Sequence, residues 1–146
     1  MTGIVEFLSA RLDEDQAAAE AHLNEVALAI YNAATAHPRR KPCNDFTTLP
    51  PLVQTRYRAL ALESQPASAR VLAEVKAKRA LIEYWRVCAE QFASDEHDEA
   101  AGSAWAAMNN VLVMLASAHR THPDYAGDDV DDWTWPADEV RNVNAT

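Results

Sequence analysis

Apolar side chains recur every three or four residues through four segments of this chain, and no segment alternates convincingly at the two-residue period of a strand. That periodicity admits helices and little else. The first segment carries Ile4, Val5, Phe7, Leu8 and Leu12, and a similar stripe resumes with Leu23, Val26, Ala27, Ile30 and Ala34. It predicts a helix over about 3–36, capped by Thr2, either continuous or broken near Asp15 and Gln16, where the stripe is weakest. Leu52, Val53, Tyr57, Leu60 and Ala61 predict a second helix over about 51–64, with Thr48 as a cap and a proline in its first turn. Val71, Leu72, Val75, Ile82, Trp85, Ala89 and Phe92 predict a third over about 68–94, capped by Ser68. Trp105, Met108, Val111, Leu112, Leu115 and Ala118 predict a fourth over about 99–120, stopped by Pro123 and Gly127.

The segments between them read as breaks. HPRRKPCNDFT contains two prolines, each of which pushes its preceding residue out of the helical region, and Gln65-Pro66 interrupts the next run. Only three glycines occur, against abundant alanine, which again favours helix. The expected architecture is all-α: a four-helix, antiparallel, bundle-like domain over residues 1–122 with two long helices, followed by an irregular acidic tail over 123–146. A chain of 146 residues fits one such domain and buries enough surface to hold a core without disulfides or metal. Cys43 and Cys88 stand far apart and form no CxxC pair, as expected of a reduced, intracellular protein. The N-terminus lacks the basic and long apolar regions of an ordinary secretory signal, and no run of about 18 uncharged apolar residues exists to span a membrane. A cytoplasmic location is expected.

Charge is unevenly placed. The net value is −9, yet residues 37–94 carry ten basic and five acidic side chains, while the two ends together carry three basic and seventeen acidic ones. A middle of +5 between ends summing to −14 suggests neutralisation within or between chains. The balance argues against non-specific binding to nucleic acid, which rewards a net positive surface. Two basic clusters stand out within the middle: Arg39, Arg40 and Lys41 in the first loop, beside His37, and Lys76, Lys78 and Arg79 on the third helix. They would serve a phosphate- or RNA-facing strip, or simply form a solvated face paired with the protein's acids.

The stretch HRTHPDYAGDDVDDWTWP, residues 119–136, concentrates the unusual chemistry. His119 and His122 are three apart, as zinc ligands on one helix face can be, with Asp124 and later carboxylates to follow. Pro123 ends the helix there, however, and His119 continues the apolar stripe, so a helix-end histidine favoured by the dipole is the simpler reading. DDVDD lacks the spacing of an EF-hand loop. No GxSxG elbow, P-loop or GxGxxG turn occurs, so no catalytic, cofactor-binding or metal-ligating residue is assigned. Trp133 and Trp135, with Tyr125, are the better candidates for contact with a partner, because indoles are enriched as interface anchors. Docking of Trp133 onto its own helices, with Trp135 left available, satisfies both readings.

Three blocks, FLSARLDEDQAAA (7–19), ARVLAEVKAKRALIEYW (69–85) and VLVMLASAHRTHPDYAGDDVDDW (111–133), resemble a family of uncharacterised small helical proteins of actinobacteria and their phages. The segment between Glu20 and Gln65 departs from that family's pattern, lacking its short TPGPW phrase. The resemblance implies a helical fold and a phage or actinobacterial setting, and no activity. The expected function is therefore non-enzymatic: a phage-encoded accessory or host-interaction factor acting by protein–protein contact, with a homodimer invited by the long striped helices. The alternative is a nucleic-acid-associated protein using the central basic region. Minor alternatives are an acidic DNA mimic and a metal-dependent enzyme.

Overall fold

The computed structural model describes residues 3–136. Among them the protein is all-α, as expected: α1 (Ile4–Ala34), α2 (Pro51–Ser64), α3 (Pro66–Ser94) and α4 (Glu99–Ala116), with one short 3₁₀ turn between α1 and α2 and two more after α4. No strand interrupts this beyond one isolated parallel bridge between Gly3 and Thr134. No helix among the described residues is long and apolar enough to cross a membrane.

The boundaries follow local chemistry. α1 is continuous through Asp15 and Gln16, where the Gln16 amide donates to Glu20 one turn on. The cap expected from Thr2 lies outside the described residues. Thr48 does not cap α2. It closes a 3₁₀ turn over Phe46–Thr48, whose cap is Asp45, the acceptor for the Thr47 N–H. α2 itself starts on Pro51 behind Pro50, and the Gln54 amide turns back to the carbonyls of Thr47 and Leu49. α3 begins at Pro66, two residues before the expected Ser68, because proline at a helix start sacrifices no intrahelical bond. Ser68 is thereby buried within the first turn. α4 is capped by Asp98, whose carboxylate accepts from the N–H groups of Ala100 and Ala101.

The chain divides into two compact units, residues 3–12 with 76–136 and residues 13–75. The second unit closes around Leu23 and Ala27 of α1, Phe46 of the loop and Ala61 of α2, with Tyr57, Leu62 and Leu72 packed against them. Its loop is tied down by Asn32, whose amide donates to the Cys43 carbonyl and whose oxygen accepts from the Cys43 N–H, each at 2.9 Å. That side chain satisfies a stretch of backbone that no helix or strand serves.

The first unit buries Ile4, Phe7, Leu8 and Leu12 of α1, Ile82, Trp85 and Cys88 of α3, and Met108, Leu112, Val113 and Ala116 of α4. It also buries Trp133 and Trp135. The segment expected as an irregular tail apart from the helical domain belongs, through Pro136, to this unit and sets its two indoles in the core. It is held by a 3₁₀ turn over Val130–Asp132, in which Asp129 and Asp132 cap one another, and by the bond from Ile4 N–H to the Thr134 carbonyl.

Candidate functional site

The Phe7 ring organises the stretch that the sequence marks as chemically unusual. Ring centroids of His119, His122, Tyr125 and Trp133 lie 6.1, 5.7, 6.2 and 5.1 Å from it. His119 sits in the 3₁₀ turn that continues α4, and His122 follows where the chain reverses. Both imidazoles are steeply inclined to the Phe7 ring, in T-shaped contacts with it. His122 Nδ1 accepts from the Asp124 N–H, as in a local turn. Among the described residues no group of three or more His, Cys, Asp or Glu side chains is placed to hold a metal ion.

The two indoles follow. Trp133 is 2% exposed and donates its ring N–H to the Gly127 carbonyl at 2.9 Å. Trp135, expected to stay available at the surface, is 4% exposed and donates to the Val130 carbonyl at 2.9 Å. Its ring lies 5.8 Å from that of Trp85. The physical reason is reciprocal: the acidic turn carries backbone carbonyls that need donors, and the indoles supply them while covering apolar surface. Tyr125 is half-buried, 5.5 Å from Trp133.

Asp128 ties this turn to the end of the helix, accepting from both the Tyr125 hydroxyl and the Arg120 guanidinium. The Tyr125 hydroxyl and then Arg120 hold the Asp128 carboxyl below its ordinary value of 3.8. Burial, and then the bond to Asp128, push the Tyr125 phenol above 10.0. A carboxyl lowered by folding adds stability that is complete above 3.8 and fades as pH falls through its folded value. A phenol raised by folding adds stability that is complete below 10.0 and fades as pH climbs through its folded value. The expected result is that Asp128→Asn is less stable than the parent at neutral pH. The deficit should shrink in acid, where the native carboxyl is also neutral. Urea midpoints measured down through pH 3.8 check this, and a deficit constant across that range contradicts it.

The basic candidates fall in different units. Arg39, Arg40 and Lys41 are exposed in the loop after α1, and they belong with residues 13–75. Arg40 lies over the Tyr31 ring, 5.5 Å from its centroid, and donates to the Tyr31 hydroxyl. With Asn32, Thr35, His37 and Lys41 it lines a shallow, open pocket. Lys76, Lys78 and Arg79 lie on α3 in the other unit, Lys76 and Arg79 exposed and Lys78 half-buried. Arg58 of α2 pairs with Glu20 at 3.4 Å, one acid of the N-terminal segment meeting one base of the middle.

The outward ridge of α4 escaped the sequence reading. No ionisable side chain occurs between Glu99 and His119, although Ser103, Ala107, Asn110, Met114 and Ala118 all face solvent. Met114 is 73% exposed. The expected stripe included Ala118, which is exposed, and Trp105, Val111 and Leu115, which are half-buried. The buried face instead takes in Asn109, Val113 and Ala116 beside Met108 and Leu112. A helix with no charge beyond its first residue has nothing to mark which side meets water, and the stripe drawn from apolar residues alone is rotated.

A family profile described as "Family of unknown function (DUF6221)" matches residues 1–135. The chain belongs to this family. No curated protein and no solved structure matches it. The match takes in Glu20–Gln65, the segment in which this DUF6221 chain departs from the block pattern of its resemblance. It also takes in the aromatic turn, so the Phe7 cluster and both indoles lie within the family's span.

Proposed function

We propose that this DUF6221 protein is a non-enzymatic module that works by binding another protein, in the cytoplasm of an actinobacterium and as a phage-encoded accessory or host-interaction factor. The setting rests on the resemblance of its sequence blocks. The mode of action rests on α4, whose solvent-facing ridge from Ser103 to Ala118 is uncharged over about four turns and carries the exposed Met114. Surface helices ordinarily carry charge on their outward face. Methionine is a flexible, polarisable side chain, over-used where a surface must adapt to a partner.

The test is capture from actinobacterial lysate with tagged protein under gentle salt. The parent retains a host protein, and Met114→Glu loses it by about tenfold or more, since a charge buried in an interface is left unpaired. Because Met114 is exposed, the substitution should alter stability by no more than about 0.5 kcal/mol. Capture that is indifferent to Met114→Glu removes the ridge from the account. Recovery of the protein alone removes the reading itself.

A second reading has its own observation, the open pocket lined by His37, Arg40 and Lys41 beside Arg39, which would receive a phosphate of a nucleic acid. Retention on heparin that is lost when Arg39, Arg40 and Lys41 become serine, with host-protein capture unchanged, would favour it.

A further inference from the structure

The outward side of α3 carries a row that the protein's own core does not use. Ala77, Ala80, Tyr84, Val87 and Gln91 are all exposed and stand three, four, three and four residues apart. That spacing is the seam of a two-helix coiled coil, distinct from the buried row Ile82, Trp85 and Cys88 on the inward side. Tyr84 is 56% and Val87 47% exposed, and Leu81 stands exposed on one flank of the row, which turns into the protein's own core one heptad on, at Cys88. The other flank carries Lys76, Glu83 and Glu90, each seven residues from the next.

We propose that a second copy of this chain occupies this row, with its α3 running antiparallel. Size complementarity points that way. Paired about a two-fold axis near Ile82, Tyr84 of one copy lies over Ala80 of the other, and Val87 lies over Ala77, so each large side chain meets a small one. A parallel pairing stacks Tyr84 on Tyr84 and leaves Ala77 facing Ala77. Charge complementarity points the same way. The antiparallel register sets Lys76 of each copy beside Glu90 of the other, twice over, and sets Leu81 against Leu81 on the opposite flank. Glu83 meets its own copy at the centre, but each Glu83 is already engaged by Arg86 within its chain. In a parallel pairing Lys76 faces Leu81, and no charge finds its opposite.

The seam runs over residues 77–91, about 21 Å of helix, which places the interface at the small end of specific contacts. A weak, reversible dimer is the expected product of so short a seam. The α4 ridge plays no part in it, and the inference stands or falls apart from the proposed function.

Sedimentation equilibrium of the full chain from about 1 μM to 1 mM tests it. The average mass should rise with concentration from 16.1 kDa toward twice that value. Tyr84→Glu and Ala80→Glu should each weaken association by about tenfold or more, with unchanged circular dichroism, since both sites are exposed. Lys76→Glu and Glu90→Lys should each weaken it singly. An equimolar mixture of those two variants, or the double exchange in one chain, should restore it. A mass that stays at one chain throughout overturns the proposal. So does a dimer that Met114→Glu breaks and Tyr84→Glu spares, or one in which the charge exchange fails to restore association.

Discussion

Replacing Trp135 with alanine is expected to destabilise the protein by about 3–5 kcal/mol, the range for removing a buried aromatic side chain. The indole is almost wholly buried, packs against Trp85 and gives its N–H to the Val130 carbonyl. Its removal therefore opens a cavity and strands a backbone acceptor together. Trp133→Ala should fall in the same range, because it leaves Phe7 and Tyr125 without the ring they pack on and frees the Gly127 carbonyl. Set against a typical total of about 5–15 kcal/mol, either loss is a large fraction of what keeps the chain folded. Urea titrations followed by circular dichroism supply the measurement. Trp135→Phe, which keeps a ring but gives up the donor, should lie between the parent and Trp135→Ala. An indole serving only as a hook for a partner would behave otherwise: its truncation would shift the urea midpoint by less than about 0.5 kcal/mol.

That contrast shows what could be read in the sequence and what could not. The helices were legible because alanine-rich runs with a period near 3.6 and prolines between them admit few alternatives. The second helix, Pro51–Ser64, is delimited by its own prolines and by Gln65-Pro66. The continuity of α1 across Asp15 and Gln16 was open, because a polar turn in mid-helix satisfies its backbone whether or not it faces a core. The placement of Trp133 and Trp135 was not legible, for a different reason. They bond to carbonyls of Gly127 and Val130 across the same acidic turn, and the bridge from Gly3 to Thr134 holds that turn on the first residues of the chain. Pairing between residue 3 and residue 134 leaves no local pattern in the sequence. An acidic, aromatic segment outside any periodic run reads as surface until its hydrogen-bond partners are seen.

The candidate surfaces invert the same logic. Aromatic residues drew attention to the turn, where burial and hydrogen bonding account for them, and away from two helix faces of modest composition. Ala77, Ala80, Ala107 and Met114 are unremarkable one by one. What marks them is an exposed row without charge on a protein that carries 35 charged side chains among 146 residues. Such rows show only once the inward side of each helix is known, since the same residues read equally well as core.

Asn109 gives the second large expected effect. It sits at 5% exposure on the buried side of α4 and accepts from the Trp85 ring N–H at 2.7 Å. Asn109→Leu keeps the branched outline of the side chain, in a bulkier residue and a better helix former, but leaves that N–H buried without an acceptor, at an expected cost of about 1–3 kcal/mol. Asn109→Ala adds a cavity and should cost more. Trp85→Phe removes the donor instead, stranding the Asn109 oxygen and thinning the contact with Trp135. The informative variant is the double one. With Trp85→Phe and Asn109→Leu together, neither polar atom remains, and the penalty of an unmatched partner disappears from the sum. The double variant should then be less destabilised than the two singles added by about 1–2 kcal/mol, the coupling expected for side chains in direct contact. Strict additivity would mean that the bond contributes nothing to stability and that Asn109 is buried for its shape alone. The polar pair has a further consequence for register. An asparagine on the otherwise apolar buried face of α4, matched to one donor on α3, penalises any sliding of α4 along its neighbour by leaving both groups unsatisfied. In the double variant, stability measured by urea should recover in part while amide exchange along α4 becomes faster than in the parent, because the core retains its apolar contacts and loses the single contact that selects among them.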